Sequence, residues 1–212
     1  MVIIFLGPPG SGKGTQAAII SKALSISSLS TSAILNEVIK NGGERAKELQ
    51  DYMSSGRLVP SSLVNELVAT TIVQDEYSAG CILDGYPRNI DQAEFLDIRF
   101  PKLELKVVYF DISYEALASR IEGRFACASC GAIYNKFSSN TKVEGVCDVC
   151  GSKEFKIRED DKLEVLHKRW EVYIEETKPL LEYYKDKGVL LSIDATLQKE
   201  EITSDLRNAM KL

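Results

Sequence analysis

The first 24 residues constrain the fold more than any other stretch, because a strand, a glycine-rich loop and a helix follow one another directly. Val2 to Leu6 form a β-branched and aromatic run typical of a buried strand. The loop from Gly7 to Thr15 has the sequence GPPGSGKGT, and its glycines allow backbone N–H groups to curl around an anion. Helical spacing follows from Gln16 to Leu24. This order predicts a nucleotide-binding α/β protein with phosphates at a helix N-terminus.

The loop departs at one position from the usual phosphate-loop pattern G-x-x-x-x-G-K-[ST]. Gly14 follows Lys13, and Thr15 comes one place later than the pattern requires. A glycine-rich loop by itself is also compatible with an ordinary turn. The strand before it and the helix after it favour phosphate binding, with Lys13 supplying charge to the outer phosphates.

Length and composition limit the classes of function. A chain of 212 residues is long enough for one α/β core with insertions, whereas two independent domains would be cramped. A net charge of −5 and a pI near 5.1 argue against a general nucleic-acid surface, which needs clustered Lys and Arg. The sequence contains no apolar run of about 18 residues and no signal-peptide pattern. We therefore expect a cytoplasmic protein that binds neither membrane nor nucleic acid.

Alternating strand and helix patterns predict a parallel sheet with helices on both faces. Further strands are expected at 27–29, 80–84, 105–110 and 188–193, and helices at 32–40, 44–54, 61–74, 91–99, 114–122, 159–185 and 199–212. Pro179 should interrupt or end the longest helix, since proline lacks a backbone N–H. Ligands bind at the carboxyl ends of such strands, where Gly7, Asp84 and Asp111 lie. Residues 30–55 and 124–157 have the character of insertions into the sheet.

Four cysteines form two C-x-x-C pairs, Cys127 with Cys130 and Cys147 with Cys150, separated by sixteen residues. This spacing is typical of a zinc site in which two knuckles direct four thiolates to one ion. Four thiolates leave no open coordination position, so the metal would stabilise a small insert and take no part in chemistry. Free thiols or bound iron are the alternatives.

Several arginines occur in contexts that suggest a cationic clamp around a polyphosphate. They are Arg88 after Asp84-Gly85-Tyr86-Pro87, Arg120 and Arg124 around Ile121-Glu122-Gly123, Arg158 before Glu159-Asp160-Asp161, and Arg169. Any one of them alone would be taken for a surface charge. Together with a phosphate loop they favour a polyphosphate ligand.

These motifs together resemble those of the adenylate kinases, within the nucleoside monophosphate kinase family, over nearly the whole chain. The resemblance rests on Gly7 to Thr15, Leu29-Ser30-Thr31, Gly56 to Pro60, Asp84 to Arg88 with Gln92, Arg124, the four cysteines with Ile133-Tyr134, Arg158 with Asp160-Asp161, and Arg169 through Thr177-x-Pro179-Leu180. It implies a P-loop nucleoside triphosphate hydrolase-like α/β fold with a five-stranded parallel sheet. It also implies a core at 1–29, 60–123 and 161–212, a helical monophosphate-binding domain at 30–59 and a zinc-bearing lid at 124–160.

The resemblance further implies reversible transfer of the terminal phosphoryl group of ATP to AMP, giving two ADP. ATP would be contacted by Gly10, Ser11, Gly12, Lys13, Gly14, Thr15, Arg124, Ile133, Tyr134 and a backbone group near Leu197. AMP would be contacted by Thr31, Arg57, Val59, Gly85, Arg88, Gln92, Arg158 and Arg169, the last two bridging the phosphates.

Phosphoryl transfer between two nucleotides needs alignment and charge neutralisation more than covalent help from the protein. The charges would come from Lys13, Arg88, Arg124, Arg158 and Arg169, together with Mg²⁺. Asp84 is the candidate for holding magnesium through water. Water must be excluded so that ATP is not hydrolysed, and closure of the two inserts over the site would do this.

The acceptor side departs from the family pattern. The segment 32–36 has the sequence SAILN where the family usually has Gly-Asp-x-Leu-Arg. The family arginine aligned with Asn36 would bind the AMP phosphate, and the family aspartate aligned with Ala33 would pair across the closed cleft. We therefore predict weak AMP binding, unless Arg57 or Lys40 compensates.

Two other functions stay open from the sequence. The altered 32–36 segment is compatible with a kinase for another monophosphate such as UMP or CMP, although Thr31 and Gln92 favour adenine. A weakly active nucleotide sensor or a zinc-ribbon binding module is the second alternative. The intact Lys13 and the arginines argue against it, because a pure binder has no need of transition-state charge. For a single compact kinase of this size we expect a monomer.

Overall fold

The computed structural model describes residues 1–157 and 161–210 and contains two β-sheets. The strands are β1 (Val2–Leu6), β2 (Ser27–Ser30), β3 (Cys81–Asp84), β4 (Leu105–Asp111), β5 (Arg124–Cys127), β6 (Ile133–Asn135), β7 (Phe155–Lys156) and β8 (Leu190–Asp194). The larger sheet has the order β2-β3-β1-β4-β8 with every pair parallel. The predicted five-stranded parallel sheet is confirmed.

Helices connect these strands at nearly the predicted positions. They are α1 (Lys13–Leu24), α2 (Thr31–Asn41), α3 (Glu44–Ser54), α4 (Ser61–Thr71), α5 (Ile90–Arg99), α6 (Tyr114–Glu122), α7 (Leu163–Val172), α8 (Leu180–Asp186) and α9 (Lys199–Met210). The helix α1 begins at Lys13, three residues before the predicted start. None of the helices in the described residues has the length and apolar character needed to cross a bilayer.

The prediction of one long helix from 159 to 185 is wrong in part. Residues 159 and 160 lie outside the described ranges, and α7 continues into a π-helical turn at Tyr173–Thr177. A turn at Lys178 and Pro179, whose dihedral angles stay in the right-handed helical region, separates this π-helical turn from α8, which begins at Leu180. The interruption near Pro179 is confirmed, and its physical cause is the missing backbone donor.

The central sheet separates two apolar layers. Alternate residues of β1 point to opposite faces, so Ile4 and Leu6 pack in one layer while Ile3 and Phe5 pack in the other. The first layer includes buried residues of α2, α3, α4, α5 and α8, and the second includes those of α1, α6, α7 and α9. Helices therefore cover both faces, as predicted. Each fully buried aliphatic or aromatic side chain contributes about 1.5–3 kcal/mol to this core.

Residues 124–157 form the smaller, antiparallel sheet with the order β6-β5-β7. The rings of Phe125, Tyr134 and Phe155 pack together beside Cys127 and Cys147. We call this segment the lid insert. The exact division of the chain into core, monophosphate-binding domain and lid stays a prediction.

Candidate active site

The glycine-rich loop has a backbone conformation that its glycines make accessible. Gly10 and Gly12 have φ of +89° and +98°, which is the left-handed region that side chains disfavour. A Cβ at Gly10 would also lie 2.7 Å from Cδ1 of Ile121. Since α1 begins at Lys13, directly after Gly12, its unsatisfied N–H groups lie at the loop. This arrangement is suited to hold phosphate.

Lys13 is the charged centre of this loop. Its Nζ donates hydrogen bonds to the carbonyl oxygens of Gly7 at 2.8 Å and Pro8 at 2.7 Å, and to Oγ of Ser11 at 3.3 Å. The pKa of Lys13 is lowered to about 8, chiefly by burial; Asp84 opposes this shift and three neighbouring arginines add to it. Those arginines are Arg88, Arg169 and Arg124, so groups distant in sequence converge on one ammonium.

The lowered pKa of Lys13 predicts that kcat/KM for ATP depends on pH. Above a pH of about 8 the free protein loses the Lys13 charge, so kcat/KM for ATP should fall as pH rises through that value. At saturating ATP the bound phosphates favour the charged form, and the fall in kcat should be displaced to higher pH. Steady-state rates between pH 6 and about 10, with ATP varied at each pH, measure both profiles. A kcat/KM for ATP that stays level well beyond pH 8 would contradict this assignment.

Three adjoining cavities lie at this end of the sheet, and the glycine-rich loop lines two of them. The donor cavity, about 440 Å³, lies between the loop, the end of α6, the lid insert and the start of α9. The central cavity, about 310 Å³, lies at the carboxyl ends of β1 and β3. The acceptor cavity lies among α2, the segment 56–59 and α5. The donor and central cavities share Gly10, Gly12, Thr15, Arg124 and Ile133, and the acceptor and central cavities share Ser32, Gly56, Leu58, Gly85, Arg88 and Arg169.

The residues expected to contact ATP are divided between the donor and the central cavity. The donor cavity is lined by Gly10, Gly12, Thr15, Arg124, Ile133, Tyr134 and Leu197, and the central cavity by Lys13 and Gly14, while Ser11 is a buried residue of the loop. The carbonyl of Leu197 accepts a hydrogen bond from Nη2 of Arg120 at 2.9 Å.

Sequence reasoning did not assign two further residues of this cavity to ATP. Arg120 lines the wall at the end of α6, and its own carbonyl accepts a hydrogen bond from Nδ2 of Asn135 at 2.6 Å. Arg120 was one of the arginines that suggested a polyphosphate clamp, but no contact with ATP was assigned to it. Nothing in the sequence pointed to Asn135, because its hydrogen bond to the Arg120 carbonyl is visible only in the folded chain.

Arg124 forms a bidentate ion pair with Asp161. Its Nε donates to Oδ2 of Asp161 at 2.7 Å and its Nη2 donates to Oδ1. The Asp161 side chain is 1% exposed, so this carboxylate is effectively buried. Arg124 begins β5 and Asp161 follows the lid insert, so the pair joins the two ends of that insert. Arg124 lines both the donor and the central cavity while its guanidinium is held by Asp161.

The acceptor cavity is organised around the loop after β3. Oγ1 of Thr31 and Nε of Arg88 both donate to the carbonyl of Gly85, each at 2.9 Å. The backbone N–H of Arg88 donates to Oε1 of Gln92 at 2.8 Å. From the other side, Oγ1 of Thr177 in the π-helical turn donates to the carbonyl of Arg88 at 2.7 Å. Burial lowers the pKa of Arg88 and Asp84 opposes this, while the guanidinium remains charged.

The other residues expected to contact AMP line the same cavity. They are Val59, which is buried, Arg57, which is exposed, and Arg169, whose Cγ would lie 2.9 Å from a Cβ at Gly56. The Arg57 guanidinium lies 4.6 Å from the centre of the Tyr52 ring. Arg158 lies outside the described residues.

Two residues of the altered 32–36 segment, Ser32 and Leu35, line the acceptor cavity, and neither was predicted to do so. Ser32 lines both the acceptor and the central cavity, and its Oγ lies 3.5 Å from Nη2 of Arg88. Asn36 and Lys40 are exposed on α2 and do not line the acceptor cavity. Of the two residues considered as substitutes for the family arginine, Arg57 lines the cavity.

Asp84 is suited to hold a magnesium ion. It ends β3, and among the described residues that line the central cavity it is the one carboxylate. Its Oδ2 lies 3.2 Å from the position of a Cβ at Gly14, so it faces the loop. A carboxylate oxygen among phosphate-binding cations is the kind of ligand that Mg²⁺ uses alongside water and substrate phosphates.

The four lid cysteines fit one tetrahedral metal ion. Their sulfur atoms all lie within 4.8 Å of one another, with Cys127 to Cys150 and Cys130 to Cys147 each 3.6 Å apart. A zinc ion with Zn–S bonds of about 2.3 Å requires sulfur atoms about 3.8 Å apart, which is close to the observed spacing. All four are free thiols.

A phosphate loop at the end of β1, a cationic centre and two flanking cavities define a P-loop nucleotide phosphotransferase. The family model for adenylate kinase matches residues 5–189. The chain is 42% identical to "Adenylate kinase" of Rickettsia africae (strain ESF-5), 41% to that of Rickettsia akari (strain Hartford) and 40% to that of Rickettsia prowazekii (strain Madrid E), each over 212 residues and the full length of both chains. The chain belongs to the adenylate kinase family.

Proposed function

We propose that this chain transfers the terminal phosphoryl group of ATP to AMP, reversibly, giving two ADP. The observation that carries the proposal is that the central cavity shares cationic lining residues with both the donor and the acceptor cavity. Arg88 and Arg169 line the acceptor and central cavities, and Arg124 lines the donor and central cavities. A phosphoryl group passing between the outer cavities would therefore stay among positive charges.

The residues act mainly by alignment and by neutralising charge. The loop from Gly10 to Thr15 holds the ATP phosphates, and Lys13 places its charge on the outer ones. Arg88 and Arg169 hold the acceptor phosphate and the transferring group, where guanidinium is suited to bidentate contacts. Thr31 and Gln92 contact the acceptor base. The lid insert and the monophosphate-binding segment exclude water as they close.

Two metal ions complete the proposed site. Asp84 would hold Mg²⁺ through water, and the ion would supply positive charge to the ATP phosphates. Zn²⁺ held by the four lid cysteines would stabilise the small insert and take no part in the transfer. Elemental analysis of the purified chain distinguishes zinc from iron. A monomeric, cytoplasmic protein stays a prediction.

A coupled assay with Mg·ATP and AMP, UMP, CMP or GMP tests the function. We expect ADP formation with AMP well above that with the other three acceptors. A preference for UMP or CMP would instead identify a kinase for another monophosphate. Nucleotide binding without transfer to any acceptor would identify a sensor.

The Asn36→Arg variant tests the acceptor side. We expect its KM for AMP to be about ten- to a hundredfold lower than that of the unaltered chain, because a charge-assisted hydrogen bond contributes about 1.5–3 kcal/mol. Lys40→Arg, on the same exposed helix and also outside the acceptor cavity, is the matched control and should leave this KM unchanged. An Asn36→Arg variant with the original KM would show that the missing arginine is not what limits AMP binding.

A further inference from the structure

The hydroxyl of Tyr134 lies against one of the metal-binding cysteines. Oη of Tyr134 is 3.2 Å from Sγ of Cys147. The tyrosine is 6% exposed, and the centre of its ring lies 5.6 Å from that of Phe125 and 5.8 Å from that of Phe155. The ring is therefore held in place and the hydroxyl is directed at the sulfur.

The hydrogen-bond partners determine which atom donates. The backbone N–H of Asp148 donates to Oη of Tyr134 at 2.8 Å, so the oxygen already acts as an acceptor. The hydroxyl hydrogen is then available to Cys147, whose sulfur has no hydrogen to give once it is a metal-bound thiolate. The Asp148 N–H therefore donates to the Tyr134 oxygen, and the Tyr134 O–H donates to the sulfur of Cys147.

Such a bond has an electrostatic reason to matter. Four thiolates around a divalent ion leave excess negative charge on the sulfur atoms, and Cys147 is buried. A hydrogen-bond donor aimed at a buried thiolate offsets the loss of solvation. Groups that bond to metal ligands in this way orient them and raise metal affinity.

We propose that Tyr134 is a positioning residue of the metal site and donates a hydrogen bond to the metal-bound thiolate of Cys147. This inference rests on the metal binding proposed above. Tyr134 lies on β6, between Ile133 and Asn135, which line the donor cavity. The same hydroxyl thus ties a wall of the donor cavity to the second cysteine knuckle.

The test compares Tyr134→Phe with the unaltered full-length protein. Phenylalanine keeps the ring packing and removes only the hydroxyl, so a purely structural role of the ring would leave metal binding unchanged. Equilibrium competition of the zinc-loaded proteins with a chromogenic chelator should show about 10- to 100-fold weaker zinc binding in Tyr134→Phe. In the cobalt-substituted proteins, the thiolate-to-cobalt charge-transfer band should move to longer wavelength, because a thiolate without its donor gives up an electron more easily.

Two further variants make the result specific. Tyr114→Phe removes a tyrosine hydroxyl outside the lid insert and should bind zinc as the unaltered chain does. Tyr134→Leu removes ring and hydroxyl together. Zinc affinity that is unchanged in Tyr134→Phe and reduced only in Tyr134→Leu would overturn the inference in favour of packing alone. An unaltered protein that binds neither zinc nor cobalt would overturn the metal proposal and this inference with it, while the acceptor assay would still decide the transfer activity.

Discussion

We expect kcat/KM for ATP to fall by about a hundred- to a thousandfold in the Lys13→Met variant, from the cost of removing one preorganised charge at a reacting centre. Methionine has a similar length and no charge. The charges of Asp84 and three arginines act on the Lys13 ammonium, and none of these groups can take its place without moving. Initial rates with ATP varied at saturating AMP measure the effect.

The matched control for this substitution lies on the same helix. Lys22→Met alters an exposed lysine in the last turn of α1 and should leave kcat/KM for ATP within about twofold of the original. Because Lys13 also bonds the carbonyls of Gly7 and Pro8, the thermal unfolding midpoints of both variants should be compared. A Lys13→Met protein that is stably folded and nearly fully active would remove the lysine from the mechanism.

The second large effect is expected on the acceptor side, at Arg88. In Arg88→Met we expect kcat to fall by about a hundredfold or more, because Arg88 lines both the acceptor and the central cavity and its charge is desolvated. Arg88→Lys keeps a charge and loses the bidentate geometry, so its loss should be partial. Rates with AMP varied at saturating ATP separate an effect on kcat from one on the KM for AMP.

Removing the Arg88 side chain also removes a structural contact and one positive charge. Its Nε bonds the carbonyl of Gly85, so the loop after β3 can change when the side chain is removed. Arg45→Met, on the exposed surface of α3, reports the effect of losing an arginine charge remote from the site. Equal losses in the two variants would mean that net charge, and not the position of Arg88, sets the rate.

The local elements of this protein could be predicted from its sequence because their determinants lie close together in the chain. The β1 strand, the glycine-rich loop and α1 are specified within 24 residues by an apolar run, by glycines at positive φ and by helical spacing. The two C-x-x-C pairs likewise specify their own knuckles, and the structure brings all four sulfur atoms together. The alternation of strand and helix patterns was sufficient to predict a parallel sheet with helices on both faces.

Helix boundaries were less predictable because they depend on contacts outside the helix. Residues 173–177 carry an ordinary helical pattern, yet they form a π-helical turn. In this turn Thr177 donates to the carbonyl of Arg88, a residue 89 positions earlier in the chain. The helical pattern of these residues carries no information about this partner, so an α-helix was predicted through residues 173–177, with its interruption only near Pro179.

What the sequence by itself determined is the set of candidate phosphate-binding groups, the two C-x-x-C pairs and the order of strands and helices that carries them. The tertiary structure alone decided how those groups are paired. In the folded chain Arg124 pairs with Asp161, and Lys13 donates hydrogen bonds to carbonyls of its own loop. Asn36 lies outside the acceptor cavity, and the Tyr134 hydroxyl lies against the sulfur of Cys147. The physical reason is that propensity, turn chemistry and metal knuckles act over a few neighbouring residues. A buried hydrogen bond or ion pair instead requires two groups whose meeting depends on the packing of the whole core.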